Sequence, residues 1–91
     1  MTRTVKKMIA TRQGTHGVMR DSSVFVQEVK VLMRHQLNWP KMEAYQREAL
    51  DMILHKIARI LYGDPNFREH WDDVAGYAER AARTIDGDVA P

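Results

Sequence analysis

From residue 21 onward, apolar side chains recur at steps of three and four, a rhythm that predicts helices. Asp21, Ser22 and Ser23 form a good N-cap cluster, followed by Phe25, Val26, Val29, Leu32 and Met33 at helical spacing. Gln27, Glu28, Lys30 and Arg34 take the other side, and the valines, which favour strands, do not alternate as a strand would. A first helix is therefore expected over about 22–37, ending before Asn38-Trp39-Pro40. Pro40 suits a first helical turn, where its missing N–H costs nothing, so a long second helix is expected over 41–62. At 100° per residue, Ala49, Leu50, Ile53, Leu54, Ile57, Ile60 and Leu61 fill one arc of it. Glu48, Asp51, His55 and Arg59 line the opposite arc, with Lys56 at the border. Such an apolar stripe faces a core, so Ile57→Asp is expected to unfold the chain by burying an unpaired charge. Gly63 and Asp64-Pro65 stop the helix. A third helix is expected over 68–85, its stripe being Trp71, Val74, Ala75, Ala78, Ala82 and Ile85, with Trp71 as core anchor. Glu69, Asp72 and Asp73 suit the positive end of its dipole.

The expected fold class is all-α: a small bundle of three main helices, residues 21–85, preceded by a basic, loop-rich N-terminal arm over 1–20. The arm shows no sustained period, and Gln13-Gly14-Thr15-His16-Gly17 is turn-rich. Nothing gives order to the tail, 86–91. A 91-residue chain buries a small share of its surface, which favours a dimer or higher homo-oligomer sharing helix faces.

Charge adds an asymmetry. The first 20 residues carry five bases and no acid, while the rest carry nine bases and twelve acids, so +5 faces −3. A basic arm on a mildly acidic body suits an anionic partner or a neighbouring acidic subunit; it also suits a solvated terminus. The absence of cysteine fits a reducing compartment. No apolar run approaches the roughly 18 residues of a membrane span, and the start lacks the apolar core of a secretory signal. The expectation is a cytoplasmic protein with no membrane partner. DNA reading is not supported, because the third helix is acidic at its entry.

Candidate chemistry lies in the second and third helices. Glu48, Asp51, His55 and Arg59 are neighbours on one helix face. The two carboxylates can ligate a divalent cation, with His55 as nitrogen ligand or base; equally, the face can be solvated and internally paired. Asp72 and Asp73 point about 100° apart, so one of them can turn toward the long helix. Lys56 can reach past the apolar face, pair with an acid of the third helix, or meet a ligand phosphate. His70 and Trp71 offer a donor and a stacking surface to a base, and Tyr77 follows Asp73 by one turn. His16 stands alone in a loop. There is no glycine-rich phosphate loop, no His-Glu-x-x-His, and no recognisable serine or cysteine nucleophile.

Three stretches carry a resemblance: Gly14-Thr15-His16-Gly17; Glu48-Ala-Leu-Asp51-Met-Ile-Leu-His-Lys56-Ile-Ala-Arg59; and Asp64-Pro65-Asn66 with Trp71-Asp72-Asp73-Val-Ala-Gly76-Tyr77-Ala78. Together they resemble a family of small tailed-phage and prophage proteins of uncharacterised function, over roughly residues 12–82. That family looks distantly like the all-α MazG-type nucleotide pyrophosphohydrolases. In those enzymes a Glu-x-x-Glu on one helix and a Glu-x-x-Asp on the next bind magnesium and orient water against a nucleoside triphosphate. Glu48-x-x-Asp51 matches the second half; for the first, Glu28 has Val31 three residues later. With half the carboxylates gone, the metal would lack the charge that activates water, unless Asp72 or Asp73 supplies it. The resemblance implies a small phage accessory protein in the bacterial cytoplasm, acting by binding a host protein or a nucleotide. Its expected ligand contacts are Lys56, Arg59, His70 and Tyr77. The alternatives are a reduced magnesium-dependent hydrolase using Glu48, Asp51, Asp72 and Asp73, and a purely structural interaction module.

Overall fold

The computed structural model describes residues 3–88. Among them are four α-helices and no strand: α1 (Arg3–His16), α2 (Met19–Arg34), α3 (Ala44–Tyr62) and α4 (Arg68–Ile85). A short 3-10 turn, Trp39–Lys41, joins α2 to α3. The all-α class expected from the periodicity holds. The count of three helices and the loop-rich arm do not, because residues 3–16 are helical.

The glycines explain that difference. Gly14 lies inside α1 with no atom near where a Cβ would stand, and a glycine in a helix costs only about 1 kcal/mol. The true stop is Gly17, at φ +85°, whose N–H donates to the Gln13 carbonyl at 3.0 Å. That is the left-handed closure glycine favours. The two glycines of Gly14-Thr15-His16-Gly17 thus serve a helix interior and a helix end rather than one turn.

Helix ends also moved. α2 begins at Met19, after the extended Val18, so Ser22 and Ser23 lie within it and bond back to the Met19 and Arg20 carbonyls. α2 ends at Arg34, short of Leu37. Pro40 sits in the 3-10 turn, not in α3. The start of α3 is set instead by a capping box: the Glu43 N–H donates to Gln46 Oε1 at 2.9 Å, and the Glu43 side chain accepts in return. α4 closes with Gly87 at φ +85°, its N–H on the Thr84 carbonyl and that of Asp88 on the Arg83 carbonyl. This is a Schellman motif, so the first three residues of the expected tail form a cap; residues 89–91 lie outside the described residues.

α3 is central. α4 packs on it most extensively, then α2, then the end of α1, while α2 and α4 share no comparable interface. Val26 of α2 is buried with Leu54 and Ala58 on one flank of α3, and Arg34 meets Asp51 there. Lys56, which meets Asp73 of α4, lies about 200° around the helix from Leu54. α2 and α4 therefore occupy opposite flanks of α3, and the three form an open layer.

The open layer overturns two burial expectations. Ile57 is 39% exposed and Leu50 and Leu61 are exposed with it, because they lie between the two covered flanks. Trp71 is 55% exposed, its Nε1–H donating to the Pro65 carbonyl at 2.9 Å. The face that α4 buries lies one residue to the side: His70, Val74, Tyr77, Ala81 and Thr84. Both stripes have helical period, so periodicity alone does not choose between them.

Candidate functional site

Three chain segments meet where α1 ends, α3 ends and α4 begins. The turn after α3 passes so close to α1 that a Cβ on Gly63 would run into the Thr15 carbonyl. A Cβ on Gly17 would stand 2.8 Å from Tyr62. Two glycines thus let the backbones touch. The Thr15 carbonyl is one of the last four of α1 and lacks a partner inside the helix. It accepts the Asp64 N–H at 3.0 Å and His70 Nε2 at 2.6 Å. A carbonyl cannot donate, so His70 carries its proton on Nε2. His70 is 1% exposed, the most buried polar residue described.

Around this knot three rings gather. His16 meets His70 edge to face at 4.8 Å between centroids, and Phe67 meets His70 at 4.9 Å. Half-buried His16 also pairs, through Nδ1, with the Thr15 hydroxyl. Burial holds the His16 pKa below its ordinary value, and the positive charges of Arg59, Arg12 and Lys56 lower it further. The junction is therefore cationic, and His16 stays neutral near neutral pH. Lys56, only 8% exposed, is matched by Asp73 at 3.1 Å. Among the described residues, Arg12 and Arg59 are in no ion pair.

The four residues expected to contact a ligand are placed unequally. His70 spends Nε2 on Thr15 and is buried. Lys56 is buried against Asp73. Arg59 is half-buried beside His16 and His55 and acts on both electrostatically. Tyr77 lies farther along α4 beneath the Arg80 guanidinium, 4.6 Å from its ring centre.

The four carboxylates considered for magnesium do not fit a metal site. Asp51 pairs with Arg34 at 3.3 Å, Asp72 with Arg68 at 3.4 Å, Asp73 with Lys56, and Glu48 is exposed. Among the described residues no three acidic or histidine side chains are grouped to hold a cation. The second Asp51 oxygen is buried without a hydrogen bond. His55, its neighbour one turn on, has a lowered pKa through burial, then through Lys30 and Arg59, against the opposing pull of Asp51. Asp51 is thus committed to α2, whereas Glu48 faces solvent and Arg59 lies toward the α1 junction.

No sequence pattern marks Arg12, Phe67 or the Thr15 carbonyl, and His16 stands in the sequence as a lone histidine of a turn-rich stretch. A pairing between residues 55 apart leaves no local signal. The nearest hint was that Thr15-His16-Gly17 and Gly63-Asp64 both break helices.

The fold and the junction define an all-α protein with one open helix layer and a cationic corner. Compared with models of known protein families, with curated proteins and with solved structures, the chain matches none.

Proposed function

We propose that the protein works by binding rather than by catalysis, as an assembly of its own copies, and that its ligand is an anion of the nucleotide class. One observation carries the reading. Arg12 and Arg59, neither in an ion pair, both act on half-buried His16 at a junction whose buried lysine is already matched by Asp73. Two guanidiniums in no ion pair, whose charges both reach the same half-buried imidazole, suit a phosphate, since guanidinium binds it through paired N–H donors. The separate commitments of Asp51, Asp72 and Asp73 to their own cations argue against magnesium-assisted hydrolysis. An accessory role of the kind small tailed-phage proteins play, sequestering a nucleotide or occupying a host protein, accords with this reading.

The test is a panel of nucleoside di- and triphosphates with magnesium, followed by chromatography and thermal shift. A rise in melting temperature without turnover, lost in Arg12→Ala and Arg59→Ala, supports sequestration, because a ligand that binds only the folded state stabilises it. Turnover of any triphosphate overturns the non-catalytic reading. No shift with any nucleotide overturns the nucleotide ligand and directs the search to proteins captured from a host lysate.

A further inference from the structure

The layer has two unlike faces. One is marked by its ion pairs, Arg34–Asp51 between α2 and α3 and Lys56–Asp73 between α3 and α4. On α3, Leu50, Ile57 and Leu61 lie between the flanks on the other side. On α4, Asp73 stands at one edge of the buried face, and the stripe Trp71, Ala75, Ala78, Ala82 and Ile85 at the other. Because Asp73 meets Lys56 on the polar side, that stripe lies on the apolar side, level with Leu50, Ile57 and Leu61. α2 repeats the arrangement: Arg34 reaches the polar side, and Leu32, exposed, lies on the opposite edge. At one end Leu50 also lines a groove of about 360 Å³ with Met33, Leu37, Trp39 and Met42, alongside the polar Gln36 and Asn38.

A single layer of amphipathic helices leaves its apolar side without the second layer that domains ordinarily supply. The surface measures the shortfall. The chain exposes 6999 Å², against about 5,500 Å² for a compact monomer of its mass. Its radius of gyration is 15.4 Å, against about 12 Å for a compact chain of this length. The excess, to which exposed α1 contributes, is larger than the roughly 800 Å² per partner of a stable interface. The alanines of α4 leave a smooth surface on which another helix can approach closely.

We infer that two copies of this chain pack face to face through this side, Leu50, Ile57, Leu61, Trp71, Ala78 and Ile85 of each covering the same side of the other. A second copy is the occupant that meets the observations directly: it brings a face of the same extent with no charge within the stripe, and a two-fold axis sets like against like. The inference rests on the assembly part of the proposed function and adds the surface. An oligomer that ignores this face defeats the surface alone; a monomer defeats both.

Sedimentation of the full chain decides it. The wild type is expected at twice 10.6 kDa, with a melting temperature that rises with protein concentration. Ile57→Glu with Leu61→Glu is expected to abolish the dimer, and Glu48→Lys on the polar face to leave it intact. A 10.6 kDa species at every concentration, or a dimer that survives the double substitution, overturns the inference. Should the double variant unfold, the absence of cysteine allows a clean cross-linking test. Disulfide-linked dimers from Ile57→Cys, Ala75→Cys or Ala78→Cys and none from Glu48→Cys support the face. Links from Glu48→Cys alone, or from none of them, overturn it.

Discussion

His70 Nε2 donates to the carbonyl of Thr15, 2.6 Å away and 55 residues earlier, and this bond ties the end of α1 to the start of α4. The same carbonyl takes the Asp64 N–H, so one orphan group of a helix end holds three segments together. His70→Ala removes a buried hydrogen bond and leaves a cavity, and is expected to cost about 2–4 kcal/mol in urea unfolding. Hydrogen exchange should rise along α1 before the rest of the chain. Uniform exchange in the variant would show that α1 is held by other contacts.

The Lys56–Asp73 pair is asymmetric, with a buried ammonium and a half-exposed carboxylate. Asp73→Asn leaves Lys56 buried without its counter-charge and is expected to destabilise by roughly 1–2 kcal/mol, discounted for the solvent that reaches Asp73. Lys56→Met keeps the aliphatic stem and removes the charge, so its cost is expected below about 1 kcal/mol. A larger loss for Lys56→Met than for Asp73→Asn in matched denaturant melts would contradict this account.

Three glycines should respond in different directions. Gly14→Ala and Gly76→Ala place a methyl group in open space within helices and are expected to stabilise by about 0.5–1 kcal/mol each. Gly17→Ala combines a positive φ with contact on Tyr62 and is expected to destabilise by more than about 1 kcal/mol. Thermal melts of the three variants check the order.

Acid should weaken the fold early. His16 and His55 both have pKa values lowered from 6.5, first by burial and then by neighbouring positive charges. As pH falls, the unfolded imidazoles protonate first, so the unfolded state binds more protons and is favoured. This part of the stability is complete above about pH 6.5 and is lost as pH drops from 6.5 toward the lower folded values. His16→Gln with His55→Gln should flatten the melting temperature through that range. An unchanged pH profile in the double variant would assign the acid sensitivity to other groups.

The candidate site was partly legible. Lys56 stood out as a border residue, and its pairing with an acid of the last helix was one of three roles its position allowed. Trp71 fits a core position by its place on an apolar stripe, yet the adjacent His70 is the buried residue. The stripe itself was real, but α3 has room on its flank for one face of α4 only. That choice rests on His70 reaching Thr15 and Asp73 reaching Lys56, two contacts with no periodic signature.

By itself the sequence determined that the chain is helical, where α3 and α4 end, and how α3 divides into an apolar and a polar arc. Those features follow from spacing, caps and glycine stops, all set within a few residues. Only the tertiary structure decided that residues 3–16 form a helix held by its C-terminal end, which stripe of α4 is buried, and that the two arcs of α3 become the two faces of an open layer. Each of these depends on groups far apart in the chain satisfying one another. A carbonyl without a partner at Thr15 and an ammonium without one at Lys56 must be met across space, and no local pattern records which residue will meet them.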